Sequence, residues 1–213
     1  FPGRVFGGGY GMTETAGSVS LAMGDVYTAR PECSGVAHDV AEMRVVGDDG
    51  QPLEAGEAGE ICVRGPMVML GYWGRPDETA AVLDAEGWLR TGDVGTIDAA
   101  GYVTIVDRKT NMVISKGENI YCAEVERVIA DHPDVADVAA FGMPDERLGE
   151  RLAVAVTPAP GHAPDAQAVR DHVRARLAEY KVPLDVYFLD RPAPRNATGK
   201  LDRQLLRREL GLA

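Results

Sequence analysis

Three glycines, Gly7-Gly8-Gly9, precede Tyr10, and Thr13 and Glu14 follow in the stretch "YGMTET". Glycine lets a backbone approach a flat ligand closely. Tyr10 offers a ring for stacking, Thr13 a hydroxyl for a phosphate oxygen, and Glu14 a hard oxygen for Mg²⁺, which takes one or two carboxylates plus phosphates. The same residues also suit a plain glycine turn with a packed tyrosine. "WLRTGD" ends in Asp93. An aspartate there caps a turn or accepts from two vicinal hydroxyls, as acids do on ribose. Arg108 ends a strand-like run and suits a salt bridge or a ribose or phosphate contact. Lys200 lies in "NATGKLDR". It is not a phosphate-loop lysine, because Pro194 stands where that motif needs its first glycine and Leu201 follows the lysine. By itself it reads as a solvated loop lysine. Asn196-Ala197-Thr198 is formally a glycosylation sequon, read as coincidence without a secretory signal.

The elements that must hold these residues fall into two styles. From about residue 34 to 107 the text is strand-like and rich in turns: "AEMRVV" before "GDDG", "GEICVRG", and "GYVTIVD". One helix interrupts, "PDETAAVL", with Pro76 at its start and acids in its first turn. The spacing predicts an antiparallel barrel or sandwich, with a strand at 4–6 and a turn at the three glycines ahead of it. After residue 107 helices and strands alternate. "AEVERVIADHP" puts Val125, Val128 and Ile129 on one face and stops before Pro133. "VADVAAFG", "LAVAVTP" and "DVYFL" read as strands. "DAQAVRDHVRARLAEY" spaces Val169, Val173 and Leu177 four apart, and "LDRQLLRREL" reads as a last helix with Leu201 and Leu205 inward. The fold class is therefore mixed: a β-rich, barrel-like subdomain over 1–107, then a small α+β domain over 108–213.

The chain of 213 residues carries a net charge of −11. A nucleic-acid partner is excluded on that balance, since such binders show a basic surface. Cys33, Cys62 and Cys122 lie far apart, as buried thiols in a reducing compartment do. The four histidines are scattered, against a His/Cys metal site. No apolar run approaches the roughly 20 residues of a membrane span. A cytoplasmic location follows. Phe1 opens on text already running into a glycine turn, so the sequence reads as a piece of a longer protein.

Six blocks in order give more than any one of them: "GYGMTETAG", "GEICVRGPMVMLGYW", "GWLRTGD", "YVTIVDRKTNMVISKGENIY", "EYKVP" and "RNATGKLDR". Together they resemble the adenylate-forming superfamily of acyl-CoA synthetases, peptide-synthetase adenylation domains and luciferases. The resemblance implies that 1–107 ends the large AMP-binding domain and 108–213 is its mobile lid. It implies ATP, Mg²⁺ and CoA as ligands and a fatty or aryl carboxylic acid as substrate. Gly8, Gly9 and Tyr10 would flank the adenine and the acyl group. Thr13 would bind the α-phosphate, Glu14 the Mg²⁺, and Asp93 the ribose with Arg108 assisting, and Ile105 would pack near the base. Lys109 and Thr110 would form the hinge, where Asp or Lys is commoner than Thr. Lys200 would stabilise charge during adenylation. The loop with Lys116, Gly117 and Glu118 would shape the pantetheine tunnel. That loop commonly reads Gly-Gly-Glu-Asn, and Lys116 here either contacts AMP or the thioester transition state or sits in solvent. Within the superfamily "YGMTE" and "GENIY" look like acyl- or aryl-CoA ligases, since peptide-synthetase domains tend to read Tyr-Gly-Pro-Thr-Glu. A carrier-protein acceptor, a luciferase-like reaction, and a non-catalytic lid module are the alternatives. The family's Ser/Thr/Gly-rich phosphate loop lies ahead of the first block, so the 213 residues alone are expected to be inactive.

Overall fold

The computed structural model describes residues 4–197 and 199–212. The chain divides into two compact units, Phe1–Lys109 and Thr110–Ala213.

In the first unit β1 (Gly7–Met12) pairs antiparallel with β2 (Gly17–Met23). A short helix, α1 (Asp25–Ala29), leads to β3 (Val36–Ala37), which adds to β2. The three glycines are thus strand and not turn, and 4–6 are not strand. The reason is close backbone packing: a Cβ on Gly9 would lie 2.5 Å from the Ser20 carbonyl, and one on Gly11 2.0 Å from that of Gly17. Only glycine lets the two backbones pair this tightly.

A second sheet holds β4 (Glu42–Val46), β5 (Gly59–Arg64), β6 (Leu89–Ile97) and β7 (Val103–Arg108), antiparallel in that order, with α2 (Pro76–Val82) between β5 and β6. The expected barrel-like segment is two open sheets among the described residues. Their shared core includes Tyr10, Val19, Ile61, Val63 and Val103, with Ile105 packed at its edge.

The second unit opens with the hairpin β8 (Met112–Ser115) and β9 (Glu118–Tyr121), followed by α3 (Cys122–Ala130). Strands β10 (Val135–Asp145) and β11 (Gly149–Pro158) form a long antiparallel pair; α4 (Ala166–Arg174) follows, and β12 (Asp185–Phe188) joins β11 in parallel. The two faces of β11 are sorted by its period of two. Val154 and Val156 meet Val125 and Ile129 of α3 and Val169 and Val173 of α4. Ala153 and Ala155 lie in a separate cluster with Leu206 of α5 (Arg203–Glu209). Two expectations shift here. Helix α4 ends at Arg174, though Leu177 still packs against its cluster. In α5 the fully buried leucine is Leu206, not Leu205. Asp202 caps that helix through the Leu205 amide at 2.9 Å, which fixes the start and so turns Leu206 onto the sheet.

Candidate functional site

Strand pairing places the acid and the arginine together. Asp93 and Arg108 are opposite residues of β6 and β7, and Arg108 Nε reaches Asp93 Oδ1 at 3.1 Å. Tyr10, on β1, donates its hydroxyl to Asp93 Oδ2 at 2.7 Å. The Asp93 amide donates to the Thr91 hydroxyl, which itself donates to the Ile61 carbonyl. Asp93 is 6% exposed and Tyr10 9%. Burial pushes the Tyr10 hydroxyl well above the ordinary tyrosine value, so it stays a donor at neutral pH. A carboxylate has about four lone-pair sites, so Asp93 retains acceptor capacity beside its two partners.

Past β1 the chain turns through a short 3₁₀ segment, Thr13–Thr15. Buried Thr15 ties the turn: its hydroxyl donates to the Gly17 carbonyl at 2.8 Å and accepts from the Met12 amide at 3.0 Å. Thr13 is exposed. Gly9, Gly11, Met12, Thr13 and Leu21 line an open cleft of about 500 Å³. Gly8 sits against the Tyr27 ring, where a Cβ would lie 2.8 Å away. The Glu14 carboxylate accepts from the Tyr72 hydroxyl through Oε1 at 3.0 Å, and the Glu14 carbonyl accepts from the Met69 amide at 2.8 Å. Tyr72 and Thr15 were not singled out from sequence, although Tyr72 lies inside the quoted "GYW". Among the described residues no cluster of three or more metal-ligating side chains exists. One carboxylate with a free oxygen fits Mg²⁺ carried on nucleotide phosphates, which keeps most of its ligands from phosphate and water.

At the boundary of the units Lys109 is held. Its Nζ lies 3.3 Å from Glu60 Oε2 and 3.4 Å from Asp48 Oδ1. Glu60 is 8% exposed and also takes Arg90 at 3.0 Å and the Gly92 amide at 3.2 Å. Sequence reasoning missed Glu60; its signal was an acid inside the short β-rich run "GEICVRG". The division between units falls between Lys109 and Thr110.

In the second unit Lys116 and Gly117 form the two-residue tip of the β8–β9 hairpin, with φ of +52° and +83°. The stretch expected as a loop is mostly strand. Two consecutive left-handed residues match the hairpin turn whose twist suits the flanking strands, and explain why Gly-Gly is the commoner pair there. Lys116, Glu118, Leu148, Tyr180 and Leu184 line a cleft of about 190 Å³. Lys200 is exposed, at the neck of a small turn. Asn196 N donates to the Lys200 carbonyl at 2.8 Å, Lys200 N to Asn196 Oδ1 at 3.0 Å, and Gly199 N to the Asn196 carbonyl at 2.9 Å. Thr198 of the sequon lies outside the described residues. The structure therefore gathers Tyr10, Asp93 and Arg108 in the first unit, and puts Lys116 and Lys200 on separate turns of the second.

Residues 1–73 match the AMP-binding enzyme family, and residues 124–200 match the AMP-binding enzyme C-terminal domain. The chain belongs to this family of adenylate-forming enzymes. A feruloyl-CoA synthase of Amycolatopsis sp is 44% identical over 209 residues, covering 98% of this chain and 42% of the relative. The amide bond synthetase McbA from Marinactinospora thermotolerans superposes with a TM-score of 0.85 at 37% identity, over 95% of this chain and 42% of that one. The o-succinylbenzoate coenzyme A synthetase MenE from Bacillus subtilis, in complex with ATP and magnesium, gives 0.85 at 36%, over 96% and 42%. The chain thus spans about two fifths of the length of the relatives it matches. Among the described residues no helix is long and apolar enough to cross a membrane.

Proposed function

We propose that the whole protein is an AMP-forming acid–thiol ligase that activates a fatty or aryl carboxylic acid and transfers it to CoA. The observation that carries this reading is the linkage of the β1 cleft, through the Tyr10 hydroxyl, to the Asp93–Arg108 pair. One strand thereby sets a phosphate-facing turn and a hydroxyl-accepting acid in a fixed relation. In the first step a carboxylate oxygen attacks the α-phosphorus of ATP and pyrophosphate leaves. Thr13 donates to an α-phosphate oxygen, Asp93 accepts from the ribose hydroxyls beside Arg108, and Ile105 with Gly8 and Gly9 borders the base and acyl group. Glu14 would hold Mg²⁺ carried on the phosphates, and the ion would supply neutralising charge there. Lys200 places fixed positive charge where the attacking and bridging oxygens gain electron density. In the second step a thiol attacks the acyl carbon and AMP leaves, with the Lys116–Glu118 hairpin tip guiding the pantetheine arm. Residues 110–213 act as a lid that swings about Lys109 and Thr110, so that Lys200 serves only the first step. ATP and CoA as substrates suit the cytoplasm.

A second reading has a specific support. The likeness to an amide bond synthetase favours the same adenylation with a different acceptor, an amine. Release of AMP by the whole protein, with MgATP and a panel of carboxylic acids, separates the two. The first reading expects AMP release that needs both an acid and CoA. Pyrophosphate formed with an acid but no CoA-dependent product would shift the assignment to the other acceptor. The 213 residues alone are expected to release no AMP.

A further inference from the structure

We infer that Asp137 and Arg195 are positioning residues that set the turn presenting Lys200, an assignment resting on the role proposed above for that lysine. Asp137 lies near the start of β10, where the pairing with β11 slips between Val135 and Asp137. Such a bulge re-aims the side chain beside it. By the alternation of the strand, Asp137 shares a face with Ala139 and Phe141, the apolar face that packs with Leu206. An acid at the rim of that face needs partners, and the tail supplies them. Asp137 Oδ2 accepts from the Ala193 amide at 3.0 Å, and Oδ1 accepts from Arg195 at 3.2 Å. Arg195 in turn donates to the carbonyl of Gly199, the residue before Lys200, at 3.4 Å.

The rest of the tail is fastened on either side. The Thr157 hydroxyl donates to the Arg191 carbonyl at 2.9 Å. Asp202 donates its amide to the Pro194 carbonyl at 2.8 Å, and Arg195 and Leu201 bridge across the neck of the turn. Lys200 is next to that bridge, so the direction of its side chain is set by the neck, and the neck is set by Asp137. The Arg195 side chain is 49% exposed and Asp137's 20%. An ion pair so open to water contributes little to folding. Its consequence is geometric: without it the turn keeps its own hydrogen bonds but loses its fixed relation to β10.

The test uses the whole protein and two separate assays, ATP–pyrophosphate exchange for adenylation and thioester formation from supplied acyl-adenylate. Arg195→Gln and Asp137→Asn are each expected to lower the exchange kcat about 10- to 100-fold, the scale of a misplaced catalytic group. The KM for ATP and the second assay stay near those of the unaltered protein, and the melting temperature barely moves. Combined, the two substitutions cost no more than the worse one, because they break one unit. Arg195→Lys recovers part of the exchange rate by keeping the charge. Equal loss in both assays assigns the pair a merely structural role and overturns the inference, as does exchange that is unchanged in both variants. Lys200→Ala is the control: if it leaves exchange intact, the proposed role of Lys200 falls and this inference with it.

Discussion

Tyr10, Asp93 and Arg108 are joined by hydrogen bonds on a carboxylate that is nearly inaccessible, whereas Lys200 stands in solvent on a turn fastened from below. The first arrangement comes from two sheets of the first unit meeting: β1 belongs to one and β6 and β7 to the other. Its geometry follows from core packing, and removing a member perturbs the fold. The second is held by a half-exposed ion pair and backbone bonds in the tail. Its geometry can be altered at small cost to folding. The difference teaches where each kind of substitution should register, in stability or in rate.

The largest effect belongs to the exposed side. Lys200→Ala should slow adenylate formation by about 10²–10³-fold, the scale for loss of one charge-stabilising group, while unfolding stays unchanged and thioester formation from acyl-adenylate loses far less. Pyrophosphate exchange beside a melting curve checks this. A large drop in melting temperature would erase the contrast between the two regions.

On the buried side Tyr10→Phe keeps the ring and removes the donor. Asp93 then lacks one partner in a place water hardly reaches, at a cost of about 1–3 kcal/mol. Arg108 is 57% exposed at its side chain, so its ion pair cannot compensate fully. The effect also carries a pH signature. The Tyr10 hydroxyl titrates above its ordinary value because it is buried. Its contribution is therefore complete below about pH 10, the usual tyrosine value, and is lost as pH rises toward the raised one. Denaturant unfolding should show Tyr10→Phe less stable at neutral pH and less sensitive to alkali. An unchanged alkaline limb would remove Tyr10 from the network.

Much of this was legible in the sequence, for reasons that differ by region. Alternation and helical spacing placed the strands β4, β5, β7, β10 and β11 and the helices α2 to α5 near their positions, because each buries one face. The glycines of β1 misled, because close strand pairing and a turn ask for the same residue, and only the neighbouring backbone distinguishes them. Leu206 was missed because "LDRQLL" offers two adjacent leucines, and the cap at Asp202 decides between them. Asp93, Arg108, Glu14 and Lys200 were visible as chemistry in search of a site. The supporting residues Tyr72, Glu60 and Asp137 were not, since each acts through a hydrogen bond to a residue at least 30 positions away. The "SKGENIY" stretch was expected as a loop on the family resemblance alone, and Lys116 in place of glycine gave no sign of the hairpin turn.

That lysine supplies a smaller prediction. A side chain at φ +52° is strained relative to glycine, by about 1 kcal/mol once the flexibility of glycine in the unfolded chain is set against the left-handed penalty. Lys116→Gly should therefore raise stability by up to about 1 kcal/mol. If thioester formation falls at the same time, the side chain serves the thiol step; if only stability changes, Lys116 sits in solvent. Either result sharpens what the exposed turns of the second unit contribute.

The smallest effect concerns another exposed turn of that unit, between β10 and β11. Asp145 accepts from the amides of Arg147 and Leu148 at 2.9 and 3.0 Å, with Arg151 nearby at 3.5 Å. These bonds, the Arg147 amide first, hold its carboxyl below the ordinary range. A lowered value means the stabilising contribution is present above the unfolded-state value and disappears as pH falls through the folded one. Asp145→Asn keeps an acceptor oxygen for the two amides but carries no charge to titrate. Urea midpoints followed from about pH 6 to about pH 3 should therefore decline less in the variant than in the unaltered chain. Parallel declines would mean that this turn, unlike the Tyr10 network, is held without help from its charge.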